Sequence, residues 1–225
     1  MKRKQPTLFD YQESLLSKGK VEAQSNQKQS KKKSKRTKLS KAEKKYSRTI
    51  HGGEESKGRR KEYRPLAENK WHHLTLKSEL AKDPWSFLTP KNQAIIRDTL
   101  KEKSKKWGVK IAEVVNVGNH LHIKLKFKYR KGFQNFLRSV TSLIARKITN
   151  AKKGNQLPKQ KHKQNKFWQG LAFTRVLKTS YEVLQLKGYF KANRIQAVKG
   201  EKAREQFLNA FNDRIQSLRK GTSSA

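Results

Sequence analysis

Residues 109–127 read VKIAEVVNVGNHLHIKLKF, and this stretch decides the fold. Its second half alternates strictly. His120, His122, Lys124 and Lys126 fall on one side of an extended chain, and Leu121, Ile123, Leu125 and Phe127 on the other. Gly118-Asn119 is a turn signal, so 109–117 and 120–127 are expected to pair as an antiparallel hairpin. The apolar side must meet helices. The His/Lys side is then expected to stand open to solvent or ligand.

Working outward, Thr89-Pro90 has the form of an N-cap followed by proline at the first helical position. Ile96, Leu100 and Trp107 follow at helical spacing, and Gly108 marks the stop. Before it, WHHLTLK at 71–77 alternates like a strand. After the hairpin, Phe133, Phe136, Leu137, Val140, Ile144 and Ile148 form an apolar helical stripe. Residues 151–166 are polar and basic, as in a mobile loop. FWQGLAFTRVL at 167–177 is a further strand candidate, and 179–193 reads as a helix burying Val183, Leu186 and Phe190. A basic amphipathic helix is expected over 201–218. The order β-α-β-β-α-β-α predicts an α+β fold: an antiparallel sheet with helices on one face, ferredoxin-like or RRM-like. That architecture hosts many functions and selects none.

Composition narrows the field. The chain has 225 residues, with 56 Lys+Arg against 17 Asp+Glu and a net charge of +39, a field that draws polyanions such as nucleic acid. The charge is not confined to one end. Residues 1–70 hold 22 basic and 8 acidic side chains, and the remainder holds 34 and 9, so the foldable part is itself strongly cationic. Residues 1–66 are read as a disordered basic arm, with the self-repelling run Lys31 to Arg36; 67–197 as the folded domain; and 198–225 as a basic C-terminal helix or tail. There is no cysteine, which excludes disulfides, thiolate zinc sites and a cysteine nucleophile. No run approaches the length of a membrane span and the N-terminus lacks an apolar signal core, so no membrane partner and a cytoplasmic, nucleoid-associated location are expected.

Two imidazoles two residues apart on one strand face can bind one divalent metal. A lone strand histidine is ordinarily structural, and that reading weakens here because both sit beside two lysines on the non-apolar face. Asn193 is a candidate third ligand, whose amide oxygen suits Mg²⁺ or Mn²⁺. Tyr189 lies one helical turn before it. By pattern alone Tyr189 is as readily a half-buried core tyrosine as a reactive one. Lys124 and Lys126 can hold phosphates from the histidine face, and Arg138, Arg146 and Lys147 decorate the following helix; solvated surface is the competing reading for each. Trp168 and His73 can contact DNA but are more simply packed residues. The nine acidic residues after position 70 form no close constellation, which disfavours a carboxylate-metal nuclease.

These residues resemble a family. VVNVGNHLHIKLKF at 114–127 resembles the His-hydrophobic-His strand of HUH single-tyrosine transposases, of the insertion-sequence and REP-associated types. FWQGLAFTR at 167–175 is similar to their segment before the catalytic helix, and GYFKAN at 188–193 to their nucleophile helix. The resemblance spans about residues 71–197, in order. It implies that His120, His122 and Asn193 hold a divalent metal that polarises the scissile phosphate. It implies that Tyr189 attacks, leaving a 5′-phosphotyrosine and a free 3′-OH, so that rejoining needs no ATP. The implied substrate is single-stranded DNA beside a hairpin, and the implied assembly a homodimer sharing active sites or a monomer. REP-associated relatives often carry proline after the Asn; Arg194 stands here, which leaves the subfamily open.

Gln5-Pro6-Thr7-Leu8-Phe9 resembles the Q-x-x-L-F peptide that binds the bacterial sliding clamp, with Gln5 at a pocket rim and Leu8 and Phe9 inside. The main alternative is a domesticated, non-transposing DNA- or RNA-binding protein on the same fold. A standard RRM would present aromatics, not His and Lys, on its central strand. A basic ribosome-associated protein would explain the charge but not the residue pattern.

Overall fold

The computed structural model describes residues 49–53, 63–151 and 166–221; the motif at Gln5, Leu8 and Phe9 and most of the loop expected over 151–166 lie outside them. Five strands form one sheet: β1 (Ile50–His51), β2 (Trp71–Lys77), β3 (Val109–Asn116), β4 (His120–Phe127) and β5 (Phe173–Leu177). Their order is β1-β5-β2-β4-β3, and every pairing is antiparallel. Among the described residues four α-helices accompany them: α1 (Pro90–Trp107), α2 (Arg130–Thr149), α3 (Ser180–Lys199) and α4 (Glu201–Gly221). No helix among the described residues is long and apolar enough to cross a membrane.

Local signals set the helix ends. Thr89 caps α1 by accepting from the Asn92 backbone N–H, Pro90 opens it, and Gly108 ends it in the left-handed region at φ 63°. Thr179 and Glu182 form a reciprocal capping box on α3, worth about 1 kcal/mol. The same Glu182 carboxylate takes Arg175 Nη2 at 2.9 Å, tying the helix start to β5.

The α+β class, the element order and the antiparallel sheet follow the sequence reading. α1 and α2 cover one face, where Leu74, Leu76, Leu121, Ile123 and Leu125 meet Ile96, Leu100, Phe133, Phe136, Val140 and Ile144. α3 and α4 depart from a one-face layer. They cover the opposite face, where Leu186, Tyr189, Phe190 and Leu208 pack with Val115 and Leu177. The His/Lys face is therefore not open as expected: His73, His122 and Lys124 are buried.

A bulge shapes that second face. Ile111 pairs with Leu125, yet Glu113 pairs with Lys124, so Ala112 is the extra residue. It lets Ile111 and Val114 both serve the α1/α2 core, and turns Glu113 and Val115 toward the histidine face.

Two further segments join the fold. Ile50 and His51, inside the stretch read as arm, add a strand to the edge at β5, and Leu66 joins the core. A strand this short in a polar context leaves no periodicity to detect. At the other end α4 is no separate tail, since Leu208 shares the cluster of Tyr189 and Phe190. The strand expected over 167–177 covers only Phe173–Leu177. Phe167 and Trp168 instead enter the core, with Trp168 Nε1 donating to Thr141 O at 2.8 Å.

Candidate active site

β4 and β2 lie side by side at the centre of the sheet, with Thr75 paired opposite His122 and His73 opposite Lys124. This places three imidazoles together beneath α3. His120 and His122 stand at right angles, ring centres 4.7 Å apart. The His73 and His122 rings are 5.2 Å apart. The Tyr189 ring stands edge-on to His122 at 5.2 Å, and Tyr189 is 7% exposed.

The hydrogen bonds orient the pair. His120 Nδ1 donates to Asn119 Oδ1 at 2.6 Å, which leaves Nε2 with its lone pair. His122 Nδ1 lies 3.0 Å from His73 Nε2 and 3.2 Å from Thr75 Oγ1. A proton on His122 Nδ1 satisfies those contacts and leaves Nε2 as an acceptor. That Nε2 is buried with no hydrogen-bond partner among the described residues. A buried acceptor of this kind is costly unless something binds it.

Burial keeps the rings neutral. It pushes His73 down to about 3, helped by Arg175 and His120, and His120 down to about 4, helped by Lys77. His122 is held well below the usual imidazole value by burial, then by the charges of His73, His120 and Arg204. Neutral imidazole is the metal-binding form. Burial raises the Tyr189 phenol, opposed by the neighbouring Asn193 side chain and by the Arg204 charge.

Among the described residues no three His, Cys, Asp or Glu side chains group to hold a metal ion. Asn193, 2% exposed and one helical turn after Tyr189 on α3, is an amide that could complete such a set. Two imidazole nitrogens and an amide oxygen are a donor set that a divalent metal ion can take.

The other expected residues are distributed differently. Lys124 and Lys126 place their ammonium groups 4.9 and 5.2 Å from the Trp71 ring centre, so each is engaged with an aromatic face. Arg138, Arg146 and Lys147 are exposed on α2, across the sheet from the histidines. Arg194 bridges to Glu113 at 2.9 Å, fastening α3 to β3 where the bulge turns Glu113 toward it. Sequence reasoning missed the support that His73 and Thr75 give His122. The signal was present: WHHLTLK places both on the same strand face, but the partner strand was not known.

A family profile described as IS200-like transposase matches residues 80–193, just over half of the chain. The chain belongs to this family. It is thus a transposase, a DNA-cleaving enzyme in general terms. The matched segment contains His120, His122, Tyr189 and Asn193, while His73 and Arg204 fall outside it. None of the curated proteins matches the chain. Among solved structures it is similar to a REP-associated tyrosine transposase bound to a REP hairpin. That likeness has 11% identity and a TM-score of 0.43, covering 64% of this chain and 77% of the other. It is also similar to a chain described as a transposase from Deinococcus radiodurans, at 16% identity and a TM-score of 0.38, covering 60% and 98%.

Proposed function

We propose that this transposase cuts and rejoins single-stranded DNA through a 5′-phosphotyrosine at Tyr189, with His120, His122 and Asn193 holding Mg²⁺ or Mn²⁺. The observation that carries the reading is the edge-on contact of Tyr189 with His122, whose buried Nε2 has no hydrogen-bond partner among the described residues. The family is metal-dependent. When bound, the ion would polarise the scissile phosphate and draw charge off its oxygens.

The chain's own residues account for the rest. Asn119, and the His73–Thr75 pair, fix which nitrogen of each ligand imidazole faces the site. Tyr189 holds its proton on Oη at rest, since burial disfavours the phenolate. It attacks phosphorus as the 3′ oxygen leaves, and the covalent link conserves the phosphodiester for rejoining. Tyr189 rests against His122, so a phosphate must reach the site between α3 and the sheet. Duplex DNA is a poor fit to so closed a site, and a single strand threads more readily.

Labelled single-stranded and duplex DNA, incubated with Mg²⁺ or Mn²⁺, test the reading. Wild type should cleave the single strand, and His120→Ala with His122→Ala should abolish cleavage while the protein stays folded. Undiminished cleavage in the double variant would remove the metal assignment.

A further inference from the structure

α4 carries an arginine that the family segment does not include. Arg204, in the first turn of α4, is 5% exposed. It lies one turn before Leu208, which packs in the cluster containing Tyr189. A buried guanidinium is costly and calls for several acceptors. Here Nη1 donates to the half-exposed Glu201 carboxylate at 2.5 Å, while Nε is buried with no hydrogen-bond partner among the described residues. A helix packing solely for stability would place an aliphatic residue at such a position. The charge is felt at both Tyr189 and His122.

We infer that Arg204 is a catalytic residue that grips a non-bridging oxygen of the scissile phosphate during cleavage. The inference rests on Tyr189 being the nucleophile. In the step, the bond from Tyr189 Oη to phosphorus forms and the bond from phosphorus to O3′ breaks. The phenolic proton ends on the departing O3′, and Arg204 keeps its own protons throughout. Negative charge accumulates on the non-bridging oxygens, where a planar guanidinium stabilises it. α3 and α4 form one helical hairpin, joined at Gly200 and closely packed where Gly188 meets Phe211. Arg204 and Tyr189 therefore belong to one packed unit.

The test uses the full chain. A pool of randomised, hairpin-flanked single strands is incubated with wild type in Mn²⁺, and the covalently captured oligonucleotide is identified. It is resynthesised with either a phosphodiester or a neutral methylphosphonate at the cleaved position. Adduct formation is then timed for wild type, Arg204→Ala, Arg204→Lys and Glu201→Gln. The diester-to-methylphosphonate rate ratio is the readout, because both substrates meet the same folded fraction of each variant. Arg204→Ala should lower that ratio about 100-fold, the usual effect of losing one charge-stabilising donor. Arg204→Lys should recover part of the loss, and Glu201→Gln should leave the ratio near wild type. A ratio unchanged in Arg204→Ala, or a Glu201→Gln variant that reproduces the loss, would overturn the inference and make Arg204 a structural tie. Capture of no oligonucleotide by wild type would instead overturn the Tyr189 reading beneath it.

Discussion

His73 Nε2 lies 3.0 Å from His122 Nδ1, and Thr75 Oγ1 lies within 3.2 Å of both rings. This contact joins β2 to β4 and leaves His122 Nε2 buried with no hydrogen-bond partner among the described residues. A histidine outside the family-matched segment thus orients one inside it.

His73 is therefore a positioning residue. His73→Ala should raise the Mn²⁺ concentration needed for half-maximal cleavage by about 10–100-fold, the usual effect of losing a ligand's outer partner. Saturating Mn²⁺ should restore most of the rate. A metal titration on the folded variant decides it: an unshifted midpoint would leave His73 a packing residue only.

His72, its neighbour, does different work on the other sheet face. It packs 4.7 Å from the Phe127 ring, and Nδ1 donates to Lys70 O. Burial pushes it down to about 4, against the opposing pull of that hydrogen bond. Between about 4 and its ordinary 6.5 the unfolded chain binds a proton that the folded chain refuses. Stability should then fall as pH drops through this window, by on the order of 2–3 kcal/mol from this group. Denaturant unfolding at pH 7 and pH 4.5 should show the loss, with the slope shallower in His72→Gln. Equal slopes would assign the acid sensitivity elsewhere.

Gly188 lets α4 sit close to α3. A Cβ there would fall 2.3 Å from Phe211 Cε1, so the ring must move. Gly188→Ala should cost about 1–3 kcal/mol through overpacking. Adding Phe211→Ala should make the glycine substitution far less harmful, a non-additivity expected of residues in contact. Strictly additive losses in thermal unfolding would contradict the packing described for the hairpin.

Much of this was legible in the chain. Thr89, Pro90 and Gly108 marked α1 because caps act locally, and the stripe from Phe133 to Ile148 marked α2 because one face alone is buried. His120 and His122 stood out because strand alternation separates them from Leu121 and Ile123. What escaped depended on distant partners. The histidine face looked open because its residues are polar, yet they are buried by bonding one another beneath α3. The bulge at Ala112 broke an alternation that a sequence alone continues. Arg204 is one of three arginines in α4, and nothing in the sequence marks it as turned inward.

In the proposed reaction Tyr189 forms the covalent bond to DNA. Denaturing electrophoresis and intact-protein mass measurement, after incubation with captured single-stranded oligonucleotide and Mn²⁺, test it directly. Wild type should gain the mass of the 5′-phosphorylated fragment and release a 3′-OH strand, and Tyr189→Phe should gain nothing while still binding DNA. An adduct that persists in Tyr189→Phe would contradict the account and move the nucleophile elsewhere, with Tyr181 the first residue to examine.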